Sequence, residues 1–253
     1  MEFKKIIDKL KIHPNVIAIC LGGSRATGMN DEKSDYDVYV YYKEPIALNK
    51  RQEILSPNCS YMEIGVNYFE EEDDCILNNG IVIELIYRNF DHFKNVIEEL
   101  ISNHNANLGY TTCFLDNILN AKVLFDREGL YQQMLEKIII YPEDLRQNII
   151  KKNISMLHGV IASYDTQIIK AYNRGDMVSV NHRITAYLAS YFDIIFAINK
   201  IYHPGEKRLI EHVKNKCSLI PIDFEQNINS LLNLENLETT LTNIYNNLRL
   251  LIS

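Results

Sequence analysis

The residues best equipped for chemistry cluster between Leu21 and Val40. The segment Leu21-Gly22-Gly23-Ser24-Arg25-Ala26-Thr27-Gly28 is followed by Ser34-Asp35-Tyr36-Asp37-Val38-Tyr39-Val40. Two glycines let a backbone approach a ligand closely. Ser24 stands where an apolar run gives way to a short helix-compatible stretch. Amide hydrogens and a hydroxyl at such a turn suit an anion, phosphate above all. Ten residues separate Ser24 from Asp35, and Asp37 follows two positions on. Residues i and i+2 of a strand share a face, so both carboxylates project together. They repel each other unless a cation lies between them, and hard oxygen ligands suit magnesium bridging to phosphate. Arg25, beside the serine, is either a phosphate contact or a surface arginine.

A third carboxylate, Glu84, interrupts Ile81-Val82-Ile83-Glu84-Leu85-Ile86-Tyr87. A charge inside an apolar strand is costly unless it is paired, exposed or coordinated. Beside the aspartates it would complete a metal site or take a proton from an incoming hydroxyl; otherwise it is an exposed edge-strand residue. Glu63 is another carboxylate that can approach such a site. Lys207 and Arg208 follow a Pro-Gly turn, from which they reach a triphosphate or simply lie on a surface helix.

The elements that must position these groups fall into two kinds. Residues 2–12 have helical spacing, and Pro14 stops them. Val16 to Leu21 reads as a buried strand, and 36–42 as a β-branched and aromatic one. Residues 46–55 look helical. Further strands are expected at 61–69 and 81–87, separated by the acidic run Glu70 to Asp74, which reads as a solvated loop. A helix at 91–103 and a short strand at 122–125 follow. Beyond Arg127 helical patterns dominate, at 129–140, 143–173, 177–200, 205–216, 223–232 and 236–252. Pro142 and Pro221 stand at helix starts, and Gly175 suits a bend between two helices. The expected fold class is α+β: a mixed sheet flanked by helices over residues 1–127, then an all-helical bundle over 128–253.

Composition narrows the function classes. With 47% hydrophobic and 23% charged residues the chain is an ordinary globular one. A net charge of −7 argues against a broad nucleic-acid-binding surface. The five cysteines are scattered, with no C-x-x-C, so reduced thiols and a cytoplasmic location are expected. Charges recur too often near the N-terminus for a signal peptide, and Tyr187 to Ile198, the best apolar run, is short and carries Asp193. There is no G-x-x-x-x-G-K-[S/T] segment, which excludes a P-loop site.

The combination Gly23-Ser24, ten residues, Asp35-Tyr36-Asp37, with a later strand carboxylate, resembles the polymerase β-like nucleotidyltransferase superfamily. The helical second half is similar to that of the antibiotic nucleotidyltransferases, and Phe196 to Arg208 resembles a stretch of bacterial members of that group. The resemblance implies transfer of a nucleoside monophosphate from a nucleoside triphosphate, expected to be ATP, to an acceptor hydroxyl. Gly23, Ser24, Arg25 and Lys207 would bind the nucleotide. Asp35, Asp37 and Glu84 would be catalytic and hold two magnesium ions. The helical domain would close the cleft and contribute to acceptor binding. An aminoglycoside-like antibiotic is the expected acceptor, and an acidic cleft would favour such a polycation. Two alternatives stay open: an antitoxin-like enzyme that nucleotidylates a protein, and a non-catalytic nucleotide-binding module. For a fused toxin, Arg208-Leu209-Ile210-Glu211-His212 has too short a spacing to be an Arg-x(4–6)-His ribonuclease signature.

Overall fold

The computed structural model describes residues 2–28 and 31–252. Helix α1 (Glu2–Lys11) leads into strand β1 (Val16–Leu21), the short α2 (Gly23–Thr27), β2 (Tyr36–Tyr42), α3 (Leu48–Leu55), β3 (Cys59–Val66), β4 (Glu71–Leu77) and β5 (Val82–Asn89). Next come α4 (Phe90–Asn103), α5 (Cys113–Asn120), β6 (Lys122–Asp126), α6 (Leu130–Ile138), α7 (Glu143–Leu157), α8 (Tyr164–Asn173), α9 (Met177–Ile198), α10 (Leu209–Lys216), α11 (Phe224–Leu232) and α12 (Leu237–Arg249). The α+β reading holds: a six-stranded sheet in the first part, then helices. The chain forms two compact units, Met1–Glu98 with Asn117–Ile139, and Glu99–Asp116 with Ile140–Ser253.

In the first unit the strand order is β3-β4-β5-β2-β1-β6. Among the described strands β2 and β5 pair in parallel and the other neighbours pair antiparallel. Strand alternation decides what each face carries. Val38, Val40 and Tyr42 of β2 join Ile83, Leu85 and Tyr87 of β5 in the apolar core, with Ile6, Ile7 and Leu10 of α1 and Leu55 of α3. Asp37, Tyr39 and Tyr41 therefore face the other way, with Glu84, Ile86 and Arg88 directly beside them.

The acidic run is not a loop. It enters β4, and alternation deals its carboxylates to opposite faces. Asp73 is fully buried, 3.6 Å from the buried Arg51 guanidinium, which also bonds Glu71 at 2.7 Å and lies 4.2 Å over the Tyr87 ring. On the other face Glu70 accepts two hydrogen bonds, 2.8 and 2.7 Å, from the buried Arg88. Two buried arginines, far off in sequence, make a strand possible where composition alone suggests solvent.

The second unit is helical. The expected helix 143–173 is broken: α7 ends at Leu157, Gly159 takes φ +93°, and α8 starts at Tyr164. The expected helix 205–216 begins only at Leu209. Gly175 does make the bend between α8 and α9. In its left-handed conformation it donates to Tyr172 O (2.9 Å), while the Asp176 amide donates to Ala171 O (3.0 Å). Among the described residues no helix is long and apolar enough to cross a membrane. All five cysteines are free.

A buried polar network pins the loop ahead of α5. Asp193 of α9 accepts from the Thr111 hydroxyl (2.6 Å) and amide (3.2 Å) and from Asn153 of α7 (3.4 Å). Burial raises the Asp193 carboxyl to about 6, against the opposing pull of those hydrogen bonds. A carboxyl whose folded pKa lies above its unfolded one, about 3.9, stabilises the fold fully at low pH. That contribution is lost as pH rises through about 6, on the order of 3 kcal/mol in all. Urea unfolding at pH 4 and pH 7.5 should therefore show a larger loss of stability over this interval in the wild type than in Asp193→Asn. Equal losses would contradict this account of Asp193.

Candidate active site

The site is built on a close approach between the glycine turn and β2. The Gly22 amide donates to the Asp37 carbonyl at 2.7 Å. A Cβ on Gly22 would lie 2.6 Å from the Tyr39 ring. Gly23 has φ +60°, and a Cβ there would fall 1.7 Å from Asp37 Oδ2. Backbone conformation and lack of space both demand glycine at position 23. The start of α2, with half-buried Ser24, is thereby held against the Asp37 carboxylate.

Arg25 braces the segment in front of β2. Its Nε donates to the carbonyls of Ser34 and Asp35, both at 2.9 Å, and its Nη2 also bonds the Ser34 carbonyl. The guanidinium lies 4.0 Å over the Tyr36 ring, whose other neighbour is the stacked ring of Phe3 at 4.1 Å. Asp31 closes the turn by accepting from the Lys33 amide (2.9 Å) and the Ser34 hydroxyl (3.0 Å). Asp35, exposed, follows directly.

Register brings the third carboxylate in. Asp37 stands directly opposite Glu84 across the parallel β2–β5 pair. The Glu84 carboxyl is pushed up, first by burial, then by Asp37, Asp35, Asp74 and Glu72. Asp35, Asp37 and Glu84 are thus one electrostatic cluster. The pairing continues outward: Glu84 opposes Asp74 of β4, and Asp74 opposes Glu63 of β3. Four adjacent strands each contribute one carboxylate to a single row. Glu63 is the far member, two strands beyond Glu84, and accepts from the Tyr61 hydroxyl at 2.6 Å. Lys207 belongs to the other unit, where it lines a cavity before α10.

Sequence reasoning did not single out Asp74, Tyr39 or Arg88 for this face. Tyr39 supports the Gly22 turn, accepts from Asn117 at 2.7 Å, and lies 4.3 Å under the Arg88 guanidinium. The signal was the i+2 and i+4 spacing of Tyr39 from Asp37 and of Arg88 from Glu84, which places each pair on one strand face.

The donor set suits a hard divalent cation. The Glu84 carboxyl is raised first by burial and then by the negative charges of Asp37 and Asp35, which a cation would offset. Among the described residues no three acidic, imidazole or thiol groups stand close enough to chelate a metal by themselves. Magnesium held by one or two carboxylates and completed by substrate phosphates needs no more than this site offers.

Residues 4–99 match the family described as polymerase beta, nucleotidyltransferase, and residues 111–209 match a domain of unknown function (DUF4037). Over residues 4–99 the chain is similar to polymerase β-type nucleotidyltransferase domains. Among curated proteins none matches the chain. Three solved structures are similar. A nucleotidyltransferase-like protein from Exiguobacterium sibiricum has 13% identity and a TM-score of 0.47, over 99% of this chain and 73% of that one. An aminoglycoside 6-adenyltransferase from Bacillus subtilis has 11% identity and a TM-score of 0.30, over 98% and 86%. A spectinomycin adenyltransferase from Enterococcus faecialis, solved with ATP and spectinomycin, has 14% identity and a TM-score of 0.34, over 98% of each chain.

Gly23→Ala tests the close approach on which the site depends. The methyl group must displace the Asp37 carboxylate and occupy a left-handed conformation, which costs about 1–3 kcal/mol. Thermal unfolding should show that loss, while Gly28→Ala, with the same backbone sign but open space around it, should cost less. Equal costs would remove the Asp37 contact from the explanation.

Proposed function

We propose that the chain is a magnesium-dependent nucleotidyltransferase. It moves a nucleoside monophosphate from a nucleoside triphosphate, ATP as the expected donor, to a hydroxyl of a small acceptor, and pyrophosphate leaves. The observation that carries this reading is the direct pairing of Asp37 with Glu84 beside the Gly22-Gly23 turn, inside the segment that matches the nucleotidyltransferase family.

In this reading the Gly23 backbone and the Ser24 hydroxyl hold the triphosphate. Asp35 and Asp37 are ligands of two magnesium ions. Bound there, the metal would stabilise charge developing on the α-phosphate and on the leaving pyrophosphate. Glu84 either accepts the proton of the attacking hydroxyl or completes the metal site. Arg25, bonded to the Ser34 and Asp35 carbonyls, keeps Asp35 in place. The acidic row from Asp37 to Glu63 favours an acceptor that carries positive charge, as an aminoglycoside-like antibiotic does.

The test is a screen of labelled triphosphates with magnesium against aminoglycosides, other hydroxylated metabolites and the protein itself. Transfer to a small hydroxylated molecule is expected. Triphosphate binding without any transfer would replace the proposal with a non-catalytic module. Asp37→Asn should abolish magnesium-dependent triphosphate binding measured by calorimetry, with the fold intact; unchanged affinity in the double Asp35→Asn/Asp37→Asn variant would refute the metal assignment. Glu84→Gln should leave nucleotide binding largely intact and lower the transfer rate by roughly a hundredfold to ten-thousandfold. Ser24→Ala should weaken triphosphate use, and mass spectrometry of the working enzyme should find no nucleotidyl-serine.

A further inference from the structure

We propose that Asn117 is a positioning residue for the triphosphate: acting through Tyr39, it sets how closely the Gly22-Gly23 turn stands to Asp37. That the turn holds phosphate rests on the nucleotidyltransferase reading. The contacts themselves lie within the first unit, to which Gly22, Tyr39, Glu70, Arg88 and Asn117 all belong.

The turn has little of its own to fix it. Gly22 stands at the N-cap of α2 and has no side chain with which to cap or pack, so its surroundings decide its position. Its amide donates to the Asp37 carbonyl at 2.7 Å. The Tyr39 ring stands so near that a Cβ on Gly22 would lie 2.6 Å from it. Tyr39 is two positions on from Asp37 and shares its strand face. The ring is therefore a stop, and its place limits how near the turn comes to the Asp37 side chain.

The ring is held at its far end and over one face. Asn117 Nδ2 donates to the Tyr39 hydroxyl at 2.7 Å, and Asn117 Oδ1 accepts from Arg88 Nη1 at 3.3 Å. A guanidinium only donates, so the amide oxygen must face Arg88 and the amide nitrogen must face Tyr39. The Arg88 guanidinium lies 4.3 Å over the Tyr39 ring, and Glu70 anchors it through Nε (2.8 Å) and Nη2 (2.7 Å). Tyr39 and Arg88 are both buried, so a lost partner is not replaced by bulk water. Burial raises the Tyr39 phenol, against the pull of Arg88 and Asn117, and the hydroxyl stays neutral beside Asp37. A phenylalanine would fill the same volume. What the hydroxyl adds is a fixed point, and Asn117 supplies it.

The carboxylates are placed by other means. The β2–β5 register sets Asp37 opposite Glu84, and Arg25 holds the Asp35 carbonyl. None of these contacts passes through Asn117. Loss of the Asn117–Tyr39 bond therefore loosens the turn and leaves the carboxylates in their strands, so it weakens the hold on the triphosphate more than the sheet that carries the metal ligands.

Calorimetry with magnesium and α,β-methylene-ATP, together with amide hydrogen exchange read by NMR, tests this on the whole chain. In Asn117→Leu the Gly22 amide should exchange at least about tenfold faster, while the Val40 and Leu85 amides keep their wild-type rates. Affinity for the magnesium–nucleotide complex should fall roughly fivefold. Tyr39→Phe breaks the same bond from the other side and keeps the ring, so it should give the same losses even if Asn117→Leu does not fold. The double variant should be no weaker than either single one, because the two side chains act as one unit. A packing role alone would lower the unfolding midpoint and leave affinity and Gly22 exchange at their wild-type values; that result in Tyr39→Phe overturns the proposal. Losses that multiply in the double variant overturn it as well. A wild type that binds no nucleotide would overturn the nucleotidyltransferase reading and the proposal together, whereas nucleotide binding that both variants leave unchanged would overturn the positioning role alone.

Discussion

The position of one carboxylate, that of Asp37, depends on three parts of the chain at once. Its carbonyl accepts the Gly22 amide, its Oδ2 occupies the space that a Cβ on Gly23 would need, and its strand register sets it opposite Glu84. Like charges directly opposite one another weaken a sheet. The β2–β5 pair carries that penalty at the site and offsets it on the reverse face, where Val38, Val40, Ile83 and Leu85 pack in the core. The glycine pair is what allows turn and strand to come so close.

The distribution of charge over the sheet follows from the same alternation. Along the run from Glu70 to Asp74, successive carboxylates go to opposite faces. Glu71 and Asp73 meet Arg51, whereas Glu70 meets Arg88. Glu72 and Asp74 stay on the side of Glu84 and raise its pKa. Both arginines are buried under or over tyrosine rings, so their positive charge is spent on holding β4 and β5 in place. What the site face shows near Asp37 is accordingly acidic.

The legibility of the molecule in its sequence was uneven for physical reasons. Strands β1 and β2 were plain, because a buried strand is a continuous apolar run and a β-branched and aromatic strand has few other uses. The Gly-Ser and Asp-x-Asp pairings were plain because spacing and strand face agree. Strand β4 was hidden, since Arg51 and Arg88 stand 20 and 18 residues from the glutamates that they pair with. Composition reports the charge of such a run and not its partners. The break after Leu157 was missed for a related reason: Gly159 interrupts a periodic pattern that resumes at once in α8. Helix α5 went unread because it is only 8 residues long.

Arg25 bears most directly on how the proposed reaction must be arranged. An arginine next to the glycine-serine turn suggests a direct phosphate clamp. Its Nε and Nη2 hydrogens go instead to the carbonyls of Ser34 and Asp35, and its face to the Tyr36 ring. It therefore acts on the carboxylates through the backbone that carries them. The charges gathered around Glu84, from Asp35, Asp37, Asp74 and Glu72, are all negative. A triphosphate held by the Gly23 backbone and Ser24 would meet repulsion from these carboxylates. On the proposed reading the divalent cation is then a condition of binding as well as of rate, because it supplies the positive charge that lies between two sets of anionic oxygens. On that reading Arg25 steadies the backbone that carries the carboxylates, and the cation supplies the positive charge between them and the phosphates.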